Sequence, residues 1–182
     1  MDAYVFIETD PGSGSQVMDS IVDQGLAARA VSVTGRYGVI ARVEGLTWDG
    51  LGTRIIDEIG RVPGVTSTTT SPIVPPETVG VVVVPIWVPF RNVQTTSALV
   101  LINFVPGAGA DVVSSLAKVP DLVGLALIAG DSDVMVQVAG SSFDEIAANI
   151  FQNIQSISGI ARTNTMLILR ATAPVDTGEN SG

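Results

Sequence analysis

The stretch that decides the fold is "LIAGDSDVMVQV" at residues 127–138, because it repeats "SVTGRYGVIARV" at residues 32–43 with the turn rewritten. Each is a pair of apolar runs around a glycine-led turn, the pattern of two strands joined as a hairpin. One turn carries Gly35, Arg36, Tyr37 and Gly38; the other carries Gly130, Asp131, Ser132 and Asp133. A shift of 95 residues, the step from Gly35 to Gly130, extends the match without a gap over residues 3–74 and 98–169. Ala3, Val5, Ile7, Pro11, Gly12, Gly14 and Val17 meet Ala98, Val100, Ile102, Pro106, Gly107, Gly109 and Val112. Further along, Gly45, Ile55, Ile59 and Gly64 meet Gly140, Ile150, Ile154 and Gly159. Scattered Val and Gly matches arise by chance, but an ungapped register of this length does not. The chain therefore reads as a tandem duplication.

Working outward from the hairpins, both copies give the same order of elements. "AYVFIE" and "ALVLINF" are short runs dense in β-branched and aromatic residues, stopped by "DPG" and "VPG", and read as strands. A short helix follows each, with Val17 and Ile21, or Val112 and Leu116, four apart on one face. After the hairpin comes a second helix, with Thr47 or Ser142 at its cap and a capping box expected from Ser142 to Glu145. Its apolar stripe is Leu51, Ile55 and Ile59, or Ile146, Ile150 and Ile154. Gly64 or Gly159 stops it before a last strand. Trp48 and Phe143, at equivalent helix starts, are expected to pack in a core or at an interface.

The resulting βαββαβ order predicts an α+β protein of tandem ferredoxin-like units, each a four-stranded antiparallel sheet with both helices on one face. The first strands are apolar at successive positions (Val5, Phe6, Ile7; Leu99 to Ile102), so both sheet faces are expected to be buried. A unit of roughly 70 residues is marginal alone. The sheets are therefore expected to pack face to face, in the dimeric α+β barrel arrangement. The expected division is residues 1–74, a connector at 75–97, residues 98–171 and a disordered tail at 172–182. Within the connector, the apolar run Val79–Phe90 reads as a strap or extra strand, or as a subunit interface anchored by Trp87 and Phe90.

Composition removes several functions. The formal net charge is −9, with a single lysine, Lys118, and eight arginines and no basic cluster, which argues against direct nucleic-acid binding. The chain has no cysteine and no histidine, so thiolate nucleophiles, the usual zinc sites and a Ser-His-Asp triad are excluded. The N-terminus shows no secretory pattern, and the apolar run at 79–90 is too short to span a bilayer and is broken by Pro85 and Pro89. A cytoplasmic protein without a membrane partner is expected. The Gly-rich stretches "PGSGS" and "PGAGA" lack the Lys-Ser/Thr of a P-loop and read as turns before helices.

Each copy resembles the effector-binding (RAM) domain of the Lrp/AsnC transcription regulators. The resemblance rests on the strand–"PG"–helix opening, on the hairpins "TGRYGVIARVEG" and "AGDSDVMVQVAG", and on the ends "VPGVTSTTT" and "ISGIARTNT". The family hairpin reads Gly-x-Tyr/Phe-Asp. Gly130 and Asp133 keep one half of it, with Ser132 in the aromatic place; Gly35 and Tyr37 keep the other half, with Gly38 in the Asp place. The resemblance implies a domain that pairs through its sheets, forms homo-oligomers and binds an amino acid or similar effector near the hairpin.

The residues fit such a ligand. Asp133 and Asp131 could receive an ammonium, and Arg36 and the turn N–H groups a carboxylate. Gly35 and Gly130 would let the backbone approach. The candidate ligand-binding set is therefore Gly35, Arg36, Tyr37, Gly38, Gly130, Asp131, Ser132 and Asp133, with no catalytic residue, metal or cofactor assigned. The same residues also serve a plain hairpin, the glycines supplying positive φ and the aspartates local turn bonds.

The family's helix-turn-helix is absent from this reading, so an effect on transcription would pass through a partner that carries one. The expected function is thus a non-catalytic sensing and oligomerisation module. The alternatives are a purely structural self-assembling protein and a cofactor-free enzyme of the dimeric α+β barrel type.

Overall fold

A computed structural model of the chain describes residues 1–44, 47–75 and 96–172. The apolar run Val79–Phe90 with Trp87 and Phe90, Gly45 of the repeat register, and the tail beyond Thr172 lie outside the described residues. The elements run β1 (Ala3–Thr9), α1 (Gly14–Asp23), β2 (Arg29–Val33), β3 (Val39–Val43), α2 (Trp48–Gly52) and β4 (Val65–Pro72). The order recurs as β5 (Thr96–Phe104), α3 (Gly109–Leu116), β6 (Leu122–Leu127), β7 (Val134–Gly140), α4 (Phe143–Asn149) and β8 (Ile160–Ala171). The protein is α+β with antiparallel sheet.

Two compact units form. Among the described residues the first comprises Met1–Thr69 together with Arg170–Thr172, and the second comprises Thr70–Leu169. The division falls inside β4 and inside β8. Backbone pairing gives the reason. In the first unit, Thr172 N donates to Ala30 O at 3.0 Å and Ala30 N donates to Thr172 Oγ1 at 3.1 Å, while Arg170 pairs with Asp19 at 2.7 Å. In the second, Val74 N donates to Leu127 O and Ala129 N to Pro72 O, both at 2.9 Å.

Strand order in the first unit is β4-β1-β3-β2, with Ala3 opposite Val43 and Ile7 opposite Val39. In the second it is β8-β5-β7-β6, with Ala98 opposite Val138 and Ile102 opposite Val134. Alternation along each strand then sorts the side chains. Ala3, Val5 and Ile7 face α1 and α2, where Val17, Met18, Ile21, Leu51, Ile55 and Ile59 complete one core. Ala98, Val100 and Ile102 do the same with Val112, Leu116, Ile146, Ile150 and Ile154. The alternate set, Tyr4, Phe6 and Ile40 in one unit and Leu99, Leu101 and Met135 in the other, is buried too. Both faces of β1, β3, β5 and β7 are therefore withdrawn from water, as the unbroken apolar runs require. Burial also pushes the Tyr4 hydroxyl well above its ordinary pKa, against the opposing pull of Arg42.

The second helix of each unit departs from a plain α-helix. α2 continues as a π-helix over Thr53–Glu58 and a 3₁₀ turn over Ile59–Arg61; α4 continues as a π-helix over Ile150–Ile154. The stripe explains it. Residues spaced strictly by four rotate about 40° per step around a 3.6-residue helix, so the third residue stands about 80° from the first, toward the edge of the core face. The wider turn, seen as Gln155 N donating to Ile150 O at 2.8 Å, brings Ile154 back to full burial.

Caps hold the starts. Thr47 Oγ1 accepts from Gly50 N, and Ser142 Oγ accepts from Glu145 N. The return arm of the expected capping box lands one residue early, because Glu145 Oε2 accepts from Ser141 N at 2.6 Å rather than from Ser142. Trp48 and Phe143, expected in a core or an interface, are 71% and 51% exposed. They occupy the first helical position, and the buried stripe begins only at Leu51 and Ile146.

Candidate functional site

The site grows from the end of a ladder. Pairing of β5 with β7 stops at Ile102 opposite Val134, and the pairing of β5 with β8 shifts between Asn103 and Phe104. The N–H of Phe104 thus has no strand partner there. Asp133 supplies one: its Oδ2 accepts from Phe104 N at 2.7 Å, a charge-assisted bond. The Asp133 backbone is tied as well, its N–H donating to Ile102 O and its carbonyl accepting from Ile128 N, both at 3.0 Å. Asn103 Nδ2 donates to Asp131 O at 2.8 Å, and Arg162 donates to Asn103 Oδ1, so the outer half of the turn is braced from β8. Gly130 (φ +139°) lies against Ser71, Asp131 is exposed and Ser132 is buried.

Beside this turn lies a cavity of about 230 Å³. Its walls are Val74, Phe104, Val113, Leu127 and Ile128, with Gly109 and Ala110 from the first turn of α3 and Asp133 as its ionisable group. The N-cap of α3, Ala108, has no side chain that could satisfy the first helical N–H groups. The arrangement offers an apolar chamber, one carboxylate and a helix start. Chemically it suits a small molecule with an aliphatic body and an ammonium group, with the helix N–H groups available to a carboxylate.

The turn of the first unit is built differently on the same backbone. Gly38 N donates to Ile7 O at 2.9 Å, matching Asp133 N to Ile102 O. A Cβ at Gly38, however, would come within 2.9 Å of Thr9 Cγ2 and 3.0 Å of Thr9 Cβ. Thr9 holds the place that a residue-38 side chain would need. Tyr37 is buried with its ring 5.2 Å from Phe6, and Arg36 lies 5.5 Å over Tyr37 while its Nε donates to Glu8 at 2.8 Å. Gly35 carries φ +99°. Of the eight residues singled out from sequence, only Asp133 lines the cavity.

A second cavity, of about 340 Å³, lies in the first unit between Gln24, Leu26, Asp57, Glu58, Arg61, Val62 and Pro63. Its charges are engaged in pairs one helical turn apart, Arg61 with Asp57 at 3.1 Å and Glu58 with Arg54 at 2.7 Å.

Sequence reasoning missed the walls. Phe104, Val113 and Leu127 read as ordinary core residues of a strand and a helix, which is how most such residues end. A signal did exist, since the 95-residue shift sets Phe104 against Thr9 in the same comparison that sets Asp133 against Gly38.

Comparison with known proteins meets the site at this point. Residues 97–175 match the Lrp/AsnC ligand binding domain. The matched segment holds every lining residue of the cavity named above except Val74. Over 73 residues the chain is 33% identical to the HTH-type transcriptional regulator FL11 of Pyrococcus horikoshii, covering 40% of this chain and 48% of that protein. Over 75 residues it is 28% identical to an uncharacterized HTH-type transcriptional regulator of Pyrococcus furiosus, covering 40% and 50%. The chain spans about half the length of the curated relatives it matches.

Two solved structures follow most of the chain. The siroheme decarboxylase NirDL superposes with a TM-score of 0.68 at 9% identity, covering 94% of this chain and 72% of that one. An anthrone oxidase-like protein superposes with a TM-score of 0.53 at 11% identity, covering 94% and 91%. At such identities the likeness shows the fold alone, and that fold is of the ferredoxin-like Lrp/AsnC and dimeric α+β barrel type.

Proposed function

We propose that the chain is a sensing module of Lrp/AsnC type, built from two tandem copies of one domain, and that it binds a small amino-acid-like effector without catalysing a reaction. It would act in the cytoplasm, as a homo-oligomer, and reach transcription through a partner that carries a helix-turn-helix. The observation that carries this reading is the Asp133 carboxylate at an apolar cavity, inside the segment that matches the family. Phe104 N occupies Asp133 Oδ2, and Oδ1 makes no hydrogen bond among the described residues, which leaves an acceptor for an ammonium. The walls would take an aliphatic side chain, and the start of α3 a carboxylate. The regulators named above support the same direction, since they share the domain and are named HTH-type.

Thermal unfolding against a panel of amino acids tests the reading. A binder stabilises by RT ln(1 + [L]/Kd), about 2.7 kcal/mol at one hundred times Kd. The shift should vanish in Asp133→Asn, which keeps an oxygen for Phe104 N and loses the charge. No shift with any member of the panel, together with large homogeneous oligomers in light scattering, would put the self-assembling, purely structural reading in its place.

A further inference from the structure

We infer that each chain takes one effector and not two, because the first unit has lost the place that the second unit keeps, with Thr9 as the residue that closes it. The inference rests on the sensing role proposed above and adds to it the number of sites and the residues that set the number.

The two turns hang from equivalent backbone bonds, so the difference lies in side chains. In the second unit the Phe104 ring stands against the first turn of α3, its Cδ2 3.4 Å from where a Cβ of Gly109 would sit. Phe104 thereby holds the helix start away from the turn, and the cavity is the space it props open. Its counterpart in the first unit is Thr9. There the start of α1 rests on the turn itself: a Cβ at Gly14 would meet Gly38 O at 3.2 Å. The carboxylate is missing too, and it could not be restored by substitution at Gly38 alone, because Thr9 occupies its path.

Two further walls change in the same sense. Val113 corresponds to Met18, which is longer and wholly buried, and so fills volume that a valine leaves empty. Leu127 corresponds to Ser32, a buried hydroxyl whose Oγ has no hydrogen-bond partner among the described residues. An aliphatic ligand would meet a polar atom there in place of a methyl group. Four positions thus turn one chamber into packing.

Isothermal titration of the intact chain with each of the twenty common amino acids decides the matter. One molecule bound per chain, lost in Asp133→Asn, is the expected result. Two molecules per chain, or binding that survives Asp133→Asn, would overturn the single-site inference and leave the sensing role standing. No heat from any of the twenty would overturn the sensing role and this inference with it. The quadruple variant Thr9→Phe, Met18→Val, Ser32→Leu, Gly38→Asp should raise the count from one to two. If that variant keeps its circular dichroism spectrum and still binds one, Thr9 and its neighbours are not what closes the place.

Discussion

The turn at Gly35–Gly38 and the turn at Gly130–Asp133 share a backbone and part in their chemistry. Both end in a residue whose N–H donates to the carbonyl of an isoleucine on the first strand, Ile7 in one case and Ile102 in the other. Beyond that bond, one turn is sealed by an aromatic pair, Phe6 with Tyr37, and by Thr9. The other turns a carboxylate inward onto the strand and borders a chamber. A hairpin scaffold tolerates either outcome, since its geometry is set by the ladder. Whether it makes a wall or an opening depends on which side chain sits at the end of the first strand.

Three measurements press on this comparison. The largest effect tests the equivalence of the two cores. Ile59 and Ile154 are both fully buried at matching places, so Ile59→Ala and Ile154→Ala should each lose about 2–5 kcal/mol by urea denaturation. A loss confined to one of them would break the correspondence of the second helices.

The next effect tests the turns. Gly38→Asp forces a side chain against Thr9 and should cost about 1–3 kcal/mol, most of it recovered when Thr9→Gly is added. Asp133→Gly should cost about as much for the opposite reason, because Phe104 N loses a charged acceptor. If Gly38→Asp is neutral, Thr9 does not guard the place.

The smallest effect is an acid limb that belongs to one unit. Hydrogen bonds from the Ser141 hydroxyl and N–H hold Glu145 below the usual carboxylate range. Its folded pKa is depressed, so its contribution is present above the ordinary glutamate value, about 4.3, and is lost as pH falls through the folded value. Stability measured against pH should therefore fall less steeply on the acid side in Glu145→Gln. The matching place in the first unit, Gly50, has no carboxylate, and its substitution should leave the acid limb unchanged.

Much of the fold was legible because two periods coincide in the chain. Alternation and four-residue spacing marked strands and helices, and the long repeat checked each assignment against its twin. The π turns escaped because Leu51, Ile55 and Ile59 satisfy an α-helical stripe almost as well, and only the third residue shows the drift. Asp133 was legible as a charged residue in a turn. Its chamber was not, since Phe104 and Val113 differ from core residues only in what they fail to fill. Arg36 pairs with Glu8, a residue brought alongside by the fold rather than by proximity in sequence, so that contact was not legible in the turn.

The nesting of the two units has a consequence for synthesis. All of Thr70–Leu169 lies between the two parts of the first unit. A growing chain therefore holds the whole core of the first unit, Ala3 to Val62, before the second unit is complete, while the β2 edge waits for its Thr172 bonds to Ala30 until residue 172 emerges. The unit that begins first thus receives its last backbone bonds from residues made after the whole of the second.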